Sequence, residues 1–195
     1  MVSDGDKPRE ALRADAARNV GLIREAALGA FRGRGLDTPL AQIAAAAGVS
    51  KATIYNHFGG RPGLIDAVIT ELVAGELYPA MEAARAEPDP WLRIAGWVEA
   101  RRDLQYREPA FTDAMMGNYP EATSLATLAS AVTAFTTRIV KDGHDAGVLR
   151  RDLTASDLFW ADVGNGLALR EMRIPTRRDY NRRTRQFIDG LRLRG

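Results

Sequence analysis

Leu125, Leu128, Val132, Phe135 and Ile139 follow one another at intervals of three, four, three and four residues. That is the interval at which side chains return to one face of an α-helix. The same step recurs at Val20, Ile23, Ala27 and Phe31, and again at Leu64, Val68 and Leu72. No stretch alternates β-branched and polar residues over the length of a strand, so the chain is expected to be all-α. Breaks at Gly33 and Gly35, Gly59-Gly60, Glu87–Pro90, Glu108-Pro109, Asn118–Pro120 and Pro175 divide it into about nine helices. With 195 residues, 46% of them hydrophobic, such helices can bury a core without disulfides or metals.

The first helix is expected from about Ala16, or earlier, to Arg32. Thr38-Pro39 then reads as a start, with the threonine oxygen taking a free N–H and proline in the first turn. This gives a short helix from Pro39 to about Ala46, a turn at residues 47–50, and a second short helix, Lys51–Phe58, capped by Ser50. The fourth helix begins near Arg61, and Gly75 and Pro79 are expected to bend or interrupt it. Asp89-Pro90 opens a helix with Trp91, Ile94, Val98 and Leu104 inward, and Gly143 is expected to close the helix carrying Leu125–Ile139. Thr154 and Asp157 form a weaker version of a capping box, with Asp in place of Glu. The last helix starts at Thr176. The natural division lies inside the fourth helix, with short helices in residues 1–63 and longer ones in 64–195.

Several kinds of chemistry are excluded by composition. The chain has no cysteine and only two histidines, His57 and His144, so no disulfide, thiolate metal site, cysteine nucleophile or multi-histidine metal site is expected. Gly164-Asn165-Gly166 follows no strand and is assigned to close helix packing rather than phosphate binding. No apolar run approaches the roughly 18 residues of a membrane span, and residues 1–10 are polar. The expectation is a cytoplasmic protein without cofactor, metal or membrane contact, and not an enzyme. Net charge is +2, unevenly spread. Residues 1–63 hold nine Lys/Arg against six Asp/Glu, residues 64–169 nine against sixteen, and residues 170–195 nine against three. Either a polyanion-binding N-terminal segment or chance produces such sums. The basic C-terminal end reads as a solvated helix face.

Residues 38–58 carry the functional signal. Two short helices joined by a four-residue turn with a glycine describe a helix-turn-helix. Ala44 is small where the helices approach, Gly48 frees the turn, and Ile43, Val49 and Ile54 pin the pair together. Lys51, Thr53, Tyr55, Asn56 and His57 then crowd donors onto a helix of two turns, a density that core filling does not require. Such side chains contact phosphates and set register on a duplex, while Ala52 and Thr53 are small enough to approach base edges in a major groove.

The run Ala-Gly-Val-Ser-Lys-Ala-Thr-Ile-Tyr-Asn-His-Phe (47–58), followed by Gly-Gly-Arg-Pro-Gly-Leu (59–64), with Ile43-Ala44 and Phe31 upstream, resembles the tetracycline-repressor (TetR) family of transcriptional regulators. The specific resemblance covers about residues 16–70. It implies that Thr38 contacts phosphate at the start of the second helix. Ser50, Lys51, Ala52 and Thr53 would lie at the leading end of the recognition helix, where base edges are read, and Tyr55 and His57 would hold phosphates. Arg61 would pin a phosphate at the start of the fourth helix. Gly59-Gly60 and Pro62 depart from the usual pattern and weaken that helix start.

The resemblance further implies a homodimer paired through the last two helices, with Phe159, Trp160, Val163, Leu167, Phe187, Ile188 and Leu191 supplying apolar area. Packing within one protomer is the alternative for each. Trp97, Tyr106, Phe111, Met115, Met116, Tyr119, Phe135 and Trp160 either line a cavity for a small-molecule effector or form plain core. The acidic balance of residues 64–169 favours a cationic or neutral effector. The expected function is a repressor released from a pseudo-palindromic double-stranded DNA operator by that effector. A ligand-independent co-regulator or activator is the alternative.

Overall fold

The computed structural model describes residues 7–108, 111–113 and 122–193. They contain the helices α1 (Lys7–Arg34), α2 (Leu40–Ala46), α3 (Lys51–Phe58), α4 (Arg61–Ala86), α5 (Pro90–Arg107), α6 (Thr123–Asp145), α7 (Ala155–Glu171) and α8 (Arg177–Asp189). Residues 111–113 are helical as well. The only β pairing among the described residues is an isolated antiparallel bridge between Leu149 and Arg192, so the all-α expectation is met.

The first three helices close on one apolar centre. Ile23, Ala27 and Phe31 of α1 meet Leu40, Ile43 and Ala44 of α2 and Ile54 of α3, all buried. Leu64, Ile65 and Val68 of α4 complete that centre. Gly33 does not end α1, which runs on to Arg34. The chain turns at Gly35, where φ is 80°, a left-handed conformation that glycine adopts without a Cβ clash.

Three expected breaks behave differently in the fold. α4 runs through Gly75 and Pro79 without interruption. Leu77 and Met81 are buried on either side of that proline, and their packing outweighs a local penalty of about 3 kcal/mol. α6 continues past Gly143 to Asp145. A Cβ on Gly143 would stand 2.7 Å from Leu149 Cδ1 and 2.8 Å from Ile94 Cδ1, so this glycine admits a neighbour rather than ending the helix. Of the two glycines assigned to helix packing on α7, only Gly166 serves it. A Cβ there would lie 2.5 Å from Thr112, whereas one on Gly164 would meet nothing within 4 Å among the described residues.

Caps follow the sequence closely elsewhere. Asp89 accepts from the N–H groups of Trp91 and Leu92 at the head of α5. The Thr154–Asp157 box is complete in both directions, at 3.2 and 2.7 Å. His144 holds the Arg150 carbonyl at 3.1 Å, on the connection that leads into the Leu149–Arg192 bridge.

A polar network lies buried where α5, α7 and α8 meet. Arg101 Nη2 stands 2.7 Å from Asp162 Oδ2, and Arg102 Nε 3.8 Å from Asp162 Oδ1. Gln105 Nε2 donates to the Asp162 carbonyl at 2.8 Å. Asn165 donates to Gln105 Oε1 and to the Tyr180 hydroxyl, which itself donates to the Arg102 carbonyl at 2.7 Å. Burial pushes the Asp162 carboxyl up, against the pull of Arg101 and Arg102. It likewise pushes the Arg102 guanidinium down, against the pull of Asp162 and Tyr180.

Candidate nucleic-acid interface

α3 is fixed by its ends and by one side chain. Ser50, in extended conformation, accepts from the Thr53 N–H at 3.1 Å and shares a 2.8 Å hydrogen bond with the Thr53 hydroxyl. Ile54 is fully buried and sets the rotation of the helix. Lys51, Ala52, Tyr55, Asn56 and His57 are in consequence exposed together with Ser50, and Thr53 is half-buried. No acidic residue lies on this helix.

The glycines after α3 are part of this geometry. Gly59 terminates the helix in left-handed conformation and donates to the Tyr55 carbonyl at 2.9 Å. Gly60, with φ 105°, lies under the Tyr55 ring, whose Cε1 would be 3.0 Å from an added Cβ. The Lys51 ammonium stands 5.6 Å from the centroid of that ring. Gly63, in the first turn of α4, comes so close to the end of α3 that a Cβ would lie 1.8 Å from the Phe58 carbonyl oxygen. These three positions set the corner between α3 and α4, so the pair Gly59-Gly60 shapes the break it marks as well as weakening the helix start.

Thr38 stands apart from the others. Pro39, not Thr38, is the N-cap of α2. The Thr38 side chain is 3% exposed, and its hydroxyl donates to the Gly35 carbonyl at 2.9 Å and toward the Ala30 carbonyl at 3.4 Å. This corrects the expected cap, and the hydroxyl donor is turned inward rather than toward solvent. Thr38→Val is expected to lower stability by only about 1 kcal/mol through the lost hydroxyl hydrogen bond, because the Gly35 carbonyl keeps the Thr38 N–H at 3.3 Å. Affinity for duplex DNA, measured by anisotropy and corrected for folded fraction, should stay unchanged. Arg61 is half-buried and donates to the Leu36 carbonyl at 2.5 Å, tying the head of α4 to the α1–α2 turn.

The helices of this unit are clamped to the rest of the chain by two acids. Arg32 of α1 makes a two-pronged hydrogen bond to Glu108, at 2.7 and 2.6 Å. Asp113 accepts from the Leu36 N–H at 3.3 Å and from Arg170 of α7 at 2.7 Å. A Cβ on Gly35 would come within 2.8 Å of the same Asp113 carboxylate. No local motif marks Glu108 or Asp113, whose partners lie 76 and 77 residues away.

The expected effector residues separate into distinct environments. Trp97 is fully buried, with Nε1 donating to Thr136 at 3.0 Å and the ring edge-on to Phe135. Phe111 is buried as well. Tyr106 donates to the Pro175 carbonyl and lies against Tyr180. Met115, Met116 and Tyr119 lie outside the described residues. Phe135 does border a groove of about 580 Å³ between α4 and α6, with Met81, Ile139, Arg85, Arg93 and Arg138. Trp160 is 66% exposed on the surface of α7, which is neither core nor the wall of that groove.

The expected pairing residues divide in a similar way. Phe159 and Leu167 are exposed beside Trp160 on α7, and Val163 is half-buried. Met172 and Ile174, beyond the end of α7, are exposed as well. Ile188 and Leu191 are buried within the protomer, in line with the alternative of packing within one chain. They sit on the inner side of α8 and the turn after it, while the half-buried Phe187 is covered by the Arg102 guanidinium at 3.9 Å.

Comparison with known proteins bears on the first four helices above all. Residues 23–68 match the family of bacterial regulatory proteins, tetR family. The HTH-type transcriptional regulatory protein RaaS of Mycobacterium tuberculosis is 40% identical over 84 residues, which span 42% of this chain and 39% of that relative. A TetR transcriptional regulator of Streptomyces coelicolor is similar in structure, with 27% identity, TM-score 0.55, and coverage of 90% of this chain and 99% of its own. The transcriptional regulator FadR of Bacillus subtilis, solved with stearoyl-CoA, has TM-score 0.68 and 13% identity over 87% of this chain and 96% of its own. At that identity the likeness is one of fold.

Proposed function

We propose that the chain, whose residues 23–68 match the family of bacterial regulatory proteins, tetR family, is a homodimeric, effector-controlled repressor of that family. Residues 1–63 are the DNA-reading unit and residues 64–195 the pairing and sensing unit. The observation that carries the reading is the face of α3. Lys51, Tyr55, Asn56 and His57 are exposed on a helix held by the buried Ile54 and capped by Ser50. Tyr55, Lys51 and His57 hold phosphates, while Ala52 and Thr53 at the leading end approach base edges. Arg61 spends one N–H on Leu36 and offers its remaining donors to the backbone.

A helix of this length reads only a few base pairs, so two copies must act on half-sites one helical turn apart or a multiple of it. The stripe of Phe159, Trp160, Val163 and Leu167 on α7 is the surface for pairing. Adjacent exposed apolar side chains of this size are what an interface covers. Two chains per operator duplex are therefore expected by analytical ultracentrifugation. Trp160→Glu should yield monomers and weaken operator binding by about a hundredfold or more, since only one half-site is then held. Wild-type chain that stays monomeric at all concentrations and binds equally well would refute the pairing.

Control comes from the clamp. Glu108 at the end of α5 and Asp113 next to α7 grip Arg32 and the α1–α2 turn. An effector with different affinities for two arrangements of the longer helices shifts the position of α3 by the same free energy. The groove floored by Met81, Phe135 and Ile139 is the seat for that effector. The fold neighbour solved with stearoyl-CoA supports an apolar portion in such a ligand. The protein acts in the cytoplasm, on DNA.

A further inference from the structure

We propose that the groove between α4 and α6 takes a small amphiphilic monoanion, a carboxylate carried on an apolar tail. The inference rests on the reading that this groove seats the effector, and it names the chemical class of that ligand. The groove has a direction. Asp66, near the head of α4, accepts from the Leu125 N–H at the head of α6, at 2.9 Å. Further along, the Arg85 guanidinium of α4 lies over the Phe135 ring of α6, 5.1 Å from its centroid. The two helices therefore run the same way. On both, the groove residues are uncharged first and charged last. Tyr78 and Met81 precede Arg85, and Ala131, Ala134 and Phe135 precede Arg138 and Asp142, with the buried Ile139 between those two in sequence. Charge gathers at one end and apolar surface at the other, about 10 Å apart over the helix from Tyr78 to Arg85.

The charged end selects the head group. Arg85, Arg93 and Arg138 all line the groove, and Asp142 is the acid that lines it with them. Asp142 is shared, with Oδ1 3.0 Å from Arg138 Nε and Oδ2 3.5 Å from Arg93 Nη1. Arg85 pairs instead with Glu82, which is exposed and outside the lining. Three arginines thus face two acids, and the surplus positive charge belongs to side chains that themselves border the space for a ligand. Arg93 is held in place by donating from Nε and Nη2 to the Glu87 carbonyl, at 3.0 and 2.8 Å. Arg85 reaches Glu82 through one terminal nitrogen, and Arg138 approaches Asp142 through Nε. Each keeps donors of its planar fork for a carboxylate. One surplus charge matches a monoanion. Residues 64–169 are acidic as a whole, which favoured a cationic or neutral effector, and the charge of the groove itself runs the opposite way.

The other end selects the tail. Met81, Phe135 and Ile139 are buried and floor the groove, Ala131 and Ala134 are small enough to leave room above it, and Tyr78 stands exposed at the rim. A space of about 580 Å³ is that of a small-molecule site, in which apolar walls supply contact area and a few polar groups fix orientation. Arg85, over the Phe135 ring, marks the boundary between the two ends. A ligand with a head alone or a tail alone uses half of the groove.

The test is thermal unfolding of the full chain with sodium octanoate, kept below micelle formation and at constant ionic strength, beside sodium acetate, octanol and octylammonium chloride. Octanoate is expected to raise Tm in a saturable way, by about 5–10 °C at a hundred times Kd. Octanol should bind about tenfold more weakly or worse, and acetate and octylammonium should give no saturable shift. Arg85→Gln/Arg138→Gln changes two exposed positions. It should keep the unliganded Tm, weaken octanoate by about tenfold or more and leave octanol as it was. Ala134→Trp, also at an exposed position, fills the apolar end and should weaken octanoate and octanol alike. Octanol or octylammonium bound as tightly as octanoate, and weakened by Ala134→Trp, would overturn the anionic head while keeping the groove as a seat. Octanoate bound equally well by both variants would overturn the proposal and the groove as a seat together. No saturable shift with octanoate would overturn the ligand class.

Discussion

Trp97→Ala is expected to lower the unfolding free energy by about 3–5 kcal/mol. Trp97 is fully buried, meets Phe135 edge-on with centroids 5.0 Å apart, and donates its indole N–H to Thr136 at 3.0 Å. Truncation removes the ring, leaves a cavity between α5 and α6, and strands the Thr136 hydroxyl oxygen that accepted the bond. For a chain of this length the loss corresponds to a fall in Tm of about 6–20 °C. Urea unfolding of both proteins measures it directly. Trp97→Phe keeps much of the ring contact and should fall between the two. A loss below about 1 kcal/mol for Trp97→Ala would mean that the ring faces open space, as an effector-lining residue does.

Gly63→Ala is expected to act against the ordinary direction of a glycine-to-alanine change in a helix, which gains up to about 1 kcal/mol. The new Cβ would stand 1.8 Å from the Phe58 carbonyl oxygen and 3.0 Å from its carbon. Both atoms are backbone, so no side chain can swing away, and α3 must shift relative to α4. The expected cost is about 3 kcal/mol, at the upper end for overpacking. DNA affinity should fall about tenfold or more, the equivalent of 1.4 kcal/mol or greater, because the shifted helix carries Lys51 and Tyr55. Gly75→Ala is the matched comparison. It lies in the same helix with nothing within 4 Å of its added Cβ, and it should leave stability equal or raise it. Equal behaviour of the two variants would remove the close approach of α3 and α4 from the account.

What the sequence made legible was local. The step of apolar residues placed α6, and Ser50, Asp89, Thr154 and Thr176 announced the helices they cap, because a cap involves residues only two or three positions apart. The exposed face of α3 was legible for the same reason, since Ile54 alone orients a helix of eight residues. Thr38 and Gly143 were misread because each was assigned a boundary role that its type often has, while tertiary neighbours gave it another. Thr38 is turned inward to Gly35, and Gly143 admits Leu149 and Ile94. Trp160, Ile188 and Leu191 show the limit of periodicity. An apolar stripe says that a face will be covered and does not say whether the cover is the same chain. The clamp through Glu108 and Asp113 was beyond reach altogether, because its partners are distant in sequence and an isolated acid carries no pattern.

The central claim is that the exposed side of α3 holds duplex DNA. It is tested most directly by titrating an operator duplex, selected by the protein from a random library, across a range of salt concentrations. Lys51→Ala/Tyr55→Ala should weaken binding by at least about tenfold and reduce the slope of log K against log salt by about one for each phosphate that a lysine no longer neutralises. Both substitutions are at exposed positions, so the variant should unfold at the wild-type temperature. A correctly folded variant with unchanged affinity and unchanged salt slope would contradict the account.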